Sequence, residues 1–258
     1  MSTEVVNKNT KKRWFALESN PAALNHYISK LGFNTSLYSF VDVYSTDEEY
    51  LSFIPSSCIG IIMLYPLTQV QEDFRKQEME HQSNQSNEST TTATSSSDGN
   101  DDVWFTKQRI GNACGTIGIL HTLGNISQTM SEITISPSSW LHEFYTNTPK
   151  SMSPITKAEI LEADEEIEKL HDESTSNTEL NQTSRGEIDD KIITHFVSIV
   201  NVKNKIYELD GRKESPIEHG STTDDRFIYD GMKVVKKFMD RDPNEMRFTI
   251  LALVPTQE

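Results

Sequence analysis

The chain is predicted to fold as an α+β domain, and three features of its sequence lead to that class. Ile59 to Tyr65 is an unbroken apolar run of strand length, as expected of a central strand buried on both faces. Ile192–Val202 and Lys205–Leu209 read as two strands joined by the two-residue turn Lys203-Asn204, which makes them an antiparallel hairpin. Helical patterns interleave with these mostly antiparallel strands along the chain. At 258 residues there is room for one large domain or two small ones. The hydrophobic content of 35% is low for a compact domain, and the deficit is local to a polar insert.

Residues 1–12 are polar and read as a flexible arm that ends in the basic cluster Lys11, Lys12 and Arg13. Trp14-Phe15-Ala16-Leu17 has strand-like content. Asn20-Pro21 opens a helix in which Leu24, Tyr27, Ile28 and Leu31 recur at helical spacing, and Gly32 closes it. Val41 to Tyr44 alternates as a short strand. Cys58, at the edge of the apolar run, has no His or Arg near it in sequence and reads as a buried structural thiol.

Residues 79–102 carry Ser, Thr, Asn, Gln and Asp with almost nothing apolar, and are expected to be a disordered surface insert. Residues 154–170 read as one helix, with Pro154 near its start, Thr156 and Glu159 spaced as a capping box, and Ile160, Leu161, Ile167 and Leu170 apolar. Residues 171–190 form a second polar, acidic loop. A helix near Asp230–Met239 and a strand over Arg247–Val254 complete a single domain spanning 13–256.

The net charge of −15 and pI near 4.9 argue against nucleic acid or an anionic membrane as partner and suit a basic protein surface. The N-terminus has no apolar signal core, and no run approaches the length of a membrane helix. The two cysteines are expected to be free thiols in a reducing compartment, cytosolic or nuclear. No metal or other cofactor is expected.

The informative segment is Gln108-Arg109-Ile110-Gly111-Asn112-Ala113-Cys114-Gly115-Thr116. Cys114 lies where a Gly/Asn turn meets a helix-spaced apolar stretch, so its sulfur faces the positive end of a helix dipole, which favours the thiolate. The neighbouring glycines are expected to leave the thiol accessible. A base is found in the hairpin. With Lys203-Asn204 as the turn, Val202 pairs with Lys205, and His195 and Asp210 become diagonal neighbours on one face. Such neighbours stand about 7–8 Å apart at the backbone, within reach of a His–carboxylate hydrogen bond. A three-residue turn would put them on opposite faces.

These residues, together with Leu17-Glu18-Ser19-Asn20-Pro21, the Met152-Ser153-Pro154 helix start, His195-Phe196 and Glu208-Leu209-Asp210-Gly211-Arg212, resemble the ubiquitin C-terminal hydrolase family from about Trp14 to Val254. The resemblance implies a papain-like α+β fold on a central antiparallel sheet flanked by helices. It also implies a catalytic triad of Cys114, His195 and Asp210, with the Gln108 amide and the Cys114 backbone N–H as oxyanion donors. The implied partner is ubiquitin, or a ubiquitin-like modifier, cleaved at its C-terminal glycine. The 171–190 loop falls where the family has its active-site crossover loop, so small adducts and short peptides are the expected leaving groups. The insert at 79–102 departs from the family pattern. The chain stops soon after its last strand, from which a free, monomeric enzyme is expected. The competing reading is a silent ubiquitin-binding module.

Overall fold

The computed structural model describes residues 11–88 and 102–257. Its first helix, α1 (Pro21–Leu31), begins and ends as its sequence dictates. The Asn20 side chain accepts hydrogen bonds from the N–H groups of Ala22 and Ala23, and Gly32 takes the left-handed conformation that stops the helix. The strand expected over Trp14–Leu17 does not form. Only Arg13 bridges Gly111, because Asn112 turns the partner chain away with a φ of 61°. Trp14 and Leu17 instead pack into the core.

β1 (Tyr38–Asp42) lies a few residues earlier than Val41–Tyr44, with Phe40 as its buried centre. After α2 (Glu48–Leu51), β2 (Gly60–Pro66) is the predicted central strand. α3 spans Gln69–Glu88 and so extends into the stretch expected to be disordered. Its Glu- and Gln-rich sequence favours helix without an apolar face, and its first turns are tied to the body by ion pairs described below. The remainder of the 79–102 expectation, residues 89–101, lies outside the described residues, as do residues 1–10 of the N-terminal arm. Lys12, at the end of that arm, is fixed: its ammonium donates to the Glu162 carbonyl and pairs with Glu168.

The helices α4 (Cys114–Leu123), α5 (Gln128–Thr134) and α6 (Trp140–Asn147) follow. The single helix expected over 154–170 is two, α7 (Pro154–Ala163) and α8 (Glu165–Ser176). Asp164 separates them. Its Oδ1 accepts from Glu166 N and Ile167 N to cap α8, while its Oδ2 accepts from Trp140 Nε1. Ser153, not Thr156, caps α7. Because α8 runs to Ser176, the first residues of the 171–190 loop are helical.

β3 (Thr194–Val202), β4 (Lys205–Leu209), β5 (Ile217–Ser221), α9 (Phe227–Arg241) and β6 (Thr249–Pro255) complete the order. β5 was not foreseen; it is a half-buried edge strand whose ladder to β4 shifts register between Ile206 and Tyr207. The six strands form one antiparallel sheet in the order β1-β6-β2-β3-β4-β5. Alternation along β2 and β3 splits the core. Ile62 and Phe196 face α1 and α4, whereas Ile61, Met63, Val197 and Ile199 face α9. Among the described residues no helix is long and apolar enough to cross a membrane.

One buried hydrogen-bond chain locks α4 to its surroundings. His171 Nε2 donates to the Phe15 carbonyl, its Nδ1 accepts from Thr116, and Tyr27 OH donates to Thr116 Oγ1. Burial holds the His171 pKa down at about 4, so the ring stays neutral and keeps this tautomer.

Candidate active site

Cys114 is the first residue of α4. The chain enters through Asn112, in the left-handed conformation that Asn tolerates, and Ala113, which offers no side-chain cap. The first N–H groups of α4 therefore remain available beside the sulfur. The expectation that glycines keep the thiol accessible is overturned, because Cys114 is buried. Gly115 serves close packing instead: a Cβ there would meet Leu17 Cβ at 3.0 Å and Phe196 Cε2 at 3.2 Å.

The hairpin register is the one the sequence predicts. Lys203 and Asn204 both have positive φ, 52° and 62°, and Val202 pairs with Lys205. His195 and Asp210 consequently meet, with His195 Nε2 2.7 Å from Asp210 Oδ1. The other ring nitrogen, Nδ1, is left for the Cys114 thiol, whose protonation His195 influences. Tyr65, cross-strand from His195 on β2, stands edge-on to the imidazole at 6.0 Å. Asp210 Oδ1 also accepts from Arg212 N, which fixes the carboxylate against the turn that carries it.

Gln108 is brought to the same place by its backbone. Its N–H donates to the Gly211 carbonyl at 2.8 Å, and a Cβ on Gly211 would meet Gln108 Cβ at 3.0 Å. One Nε2 hydrogen donates to the Ile110 carbonyl, which leaves the second free to serve another acceptor.

The three groups shift one another's protonation. Burial alone would push the Cys114 thiol up, but the hydrogen bond and charge of His195 outweigh it and hold the thiol below its ordinary value. Burial would push His195 down, yet the Asp210 charge and the contacts to Asp210 and Cys114 raise it to about 9. Burial opposes the ionised form of Asp210 as well, and the imidazolium holds its carboxyl well below the usual carboxylate range. Both shifts run toward a thiolate–imidazolium pair, the form a cysteine nucleophile needs. Among the described residues no group of three His, Cys, Asp or Glu side chains could hold a metal ion.

The segment between α8 and β3 is tied down beside this site. The Glu18 carboxylate accepts from Gln182 N, Thr183 N and Thr183 Oγ1, and Arg185 lies over the Phe15 ring. Asn112 Nδ2 donates to the Ile188 carbonyl, two residues ahead of Cys114 in the chain. The segment thus lies against the N-terminal end of α4.

Sequence reasoning missed the charged side chains behind Asp210. Glu208 on β4 is fully buried, with Lys213 on one oxygen and His219 on the other. The one signal available was an acidic residue, Glu208, between Tyr207 and Leu209 in a strand otherwise read as core.

Comparison with known proteins agrees with this geometry. The sequence model of the family described as "Ubiquitin carboxyl-terminal hydrolase, family 1" matches residues 14–240. The chain is 36% identical over 246 residues to ubiquitin carboxyl-terminal hydrolase 3 of Arabidopsis thaliana, covering 95% of each protein. It is 35% identical over 237 residues to ubiquitin carboxyl-terminal hydrolase isozyme L1 of Homo sapiens, covering 92% of this chain and 96% of that one. Among solved structures, the UCH37 catalytic domain of Trichinella spiralis bound to ubiquitin vinyl methyl ester shares the fold, with a TM-score of 0.69 at 23% identity over 95% of this chain and 96% of that one.

Proposed function

The chain belongs to the ubiquitin C-terminal hydrolase family, and from that premise we propose that Cys114, His195, Asp210 and Gln108 carry out its thiol-dependent cleavage at the C-terminal glycine of ubiquitin. The Cys114 thiolate attacks the glycine carbonyl carbon, and the carbonyl electron pair moves onto oxygen. The free Gln108 amide hydrogen and the Cys114 N–H are the donors for that oxyanion. His195, protonated at Nδ1, gives its proton to the leaving amine as the C–N bond breaks and the thioester forms. Water then adds to the thioester with His195 taking its proton, and ubiquitin leaves with a free carboxylate as the thiolate returns. Asp210 orients the imidazole and stabilises its charged form throughout.

The observation that carries this reading is the 2.7 Å His195–Asp210 hydrogen bond, beside a Cys114 thiol that His195 holds below its ordinary value. It favours a working enzyme over a silent ubiquitin-binding module. The part of the 171–190 loop beyond α8, held beside the start of α4 by Asn112 and tied to Glu18, supports the reading of that loop as the crossover loop that restricts leaving groups to small adducts and short peptides. Two free cysteines are consistent with action in the cytosol or nucleus, and a triad drawn from one chain with action as a monomer. Whether ubiquitin or a ubiquitin-like modifier is preferred is decided by comparing their turnover.

The test is turnover of ubiquitin bearing a fluorogenic C-terminal amide. Fast release by the wild type, lost in Cys114→Ala, is expected. Binding without release by the wild type would replace the hydrolase with a binding module.

A further inference from the structure

The sequence around Asp210 carries more charge than a triad acid requires, and the fold buries most of it. Lys213, next but two to Asp210, is 3% exposed. Its backbone N–H donates to the Asp210 carbonyl at 2.9 Å. Its ammonium reaches Glu208 Oε1 on β4 and Glu78 Oε2 on α3, each at 2.5 Å. Glu208 is itself fully buried, and its second oxygen takes His219 Nε2 at 2.9 Å from β5. One turn and a half earlier on α3, Glu72 takes Arg212 at 2.9 Å, and Arg212 N is the group that donates to Asp210 Oδ1. The Lys213 ammonium thus stands between two carboxylates and offsets one of their two negative charges.

We propose that Lys213, clamped between Glu208 and Glu78, is a positioning residue for Asp210, and that α3 is thereby part of the support of the catalytic triad. The inference rests on the triad reading above. The three anchors come from β4, α3 and the 210–213 turn itself, so the turn is held from both sides of its chain. It also carries a net charge that the triad feels. Asp210 is faced by His195 from β3, Tyr65 from β2, and Arg212 and Lys213 from its own turn, with Cys114 and His121 of α4 at longer range. Around Lys213 stand Glu208, Glu78 and, from α9, Arg241, which feels both carboxylates. Lys237 of α9 approaches His219 on its far side.

The sign of each change follows from charge alone. Removing the Lys213 cation leaves negative charge near the triad, which favours the imidazolium and disfavours the thiolate. Both limbs of the pH–rate profile then move to higher pH. Removing the Glu78 anion does the reverse. A residue that only supports the fold would move neither limb in a charge-dependent direction.

The experiment follows the His195 imidazole by NMR titration, alongside kcat, KM and the pH profile for a fluorogenic ubiquitin amide, in wild type, Lys213→Met, Lys213→Arg and Glu78→Gln. Lys213→Met is expected to raise the His195 titration by on the order of half a pH unit and lower kcat about tenfold or more, with KM little changed. Lys213→Arg restores most of both. Glu78→Gln, on a half-buried helix face and less costly to folding, shifts the titration down by a comparable amount. If Lys213→Met fails to fold, the Glu78→Gln shift decides. Unchanged titration and kcat in the folded variants, or shifts of the same sign in both, would overturn the proposal. Because the NMR readout needs no turnover, shifts of the expected sign in a wild type that does not hydrolyse ubiquitin would uphold the inference and sink the hydrolase reading.

Discussion

The two cysteines of this chain have nearly the same exposure and opposite chemistry. Cys58, 5% exposed before β2, donates its S–H to the Gly60 carbonyl, and burial pushes its thiol up to about 12. Cys114, 6% exposed at the start of α4, experiences the same penalty, yet its thiol lies below its ordinary value. Depth is not the difference. One thiol faces a carbonyl oxygen, which stabilises S–H, and the other faces an imidazole that a buried carboxylate keeps charged. Reactivity here is set by the partner that β3 supplies.

The largest test of that contrast is to delete each sulfur. Cys114→Ala is expected to lower turnover of a fluorogenic ubiquitin amide by about 10⁴-fold or more, while Cys58→Ala leaves it within about twofold. Asp210→Asn should come next, because it removes the charge and keeps the shape. It is expected to cost about 10²–10⁴-fold in kcat, to bring the His195 titration down from about 9, and to make Cys114 titrate more like Cys58. An Asp210→Asn enzyme with an unchanged His195 titration would break the comparison.

Alkylation sharpens it at smaller amplitude. Iodoacetamide at neutral pH should modify Cys114 at least about 100-fold faster than Cys58, read by mass spectrometry of the peptides. The His195 pKa is raised in the folded state, so the stability it contributes is present below about 6.5 and is lost as pH rises through about 9. The activity profile should fall on its alkaline side over the same interval, as the imidazolium is lost. The smallest effect is on stability: Cys58→Ala should destabilise by about 1 kcal/mol in urea unfolding, through lost packing.

Much of the site was legible because its determinants are local. The Asn-then-helix entry to Cys114 and the two-residue turn of Lys203 and Asn204 are rules of a few residues, and together they bring the triad to one place. What was not legible depends on distant chain. The burial of Cys114 follows from Leu17 and Phe196 closing over Gly115. The break at Asp164 follows from a side chain that satisfies both α8 and Trp140, which a pattern of apolar spacing does not record. The helical start of the expected insert depends on α3 being held by Arg212 and Lys213, and the Lys213–Glu78 contact joins residues 135 apart. The N-terminal Trp14–Leu17 run had strand composition and no strand to join.

The turn at Lys203 and Asn204 also determines how this protein can change over generations. The polar stretches around 79–102 and 177–193 can gain or lose residues while the strands of the sheet keep their pairing. A single residue added to the turn reverses the parity of every position beyond it, so Asp210 would present its carboxylate to the opposite side of the sheet from His195. Variation in length is therefore expected to accumulate in the long segments and to be purged at the short one. The least conspicuous turn in the molecule is where lineage history should be the most conservative.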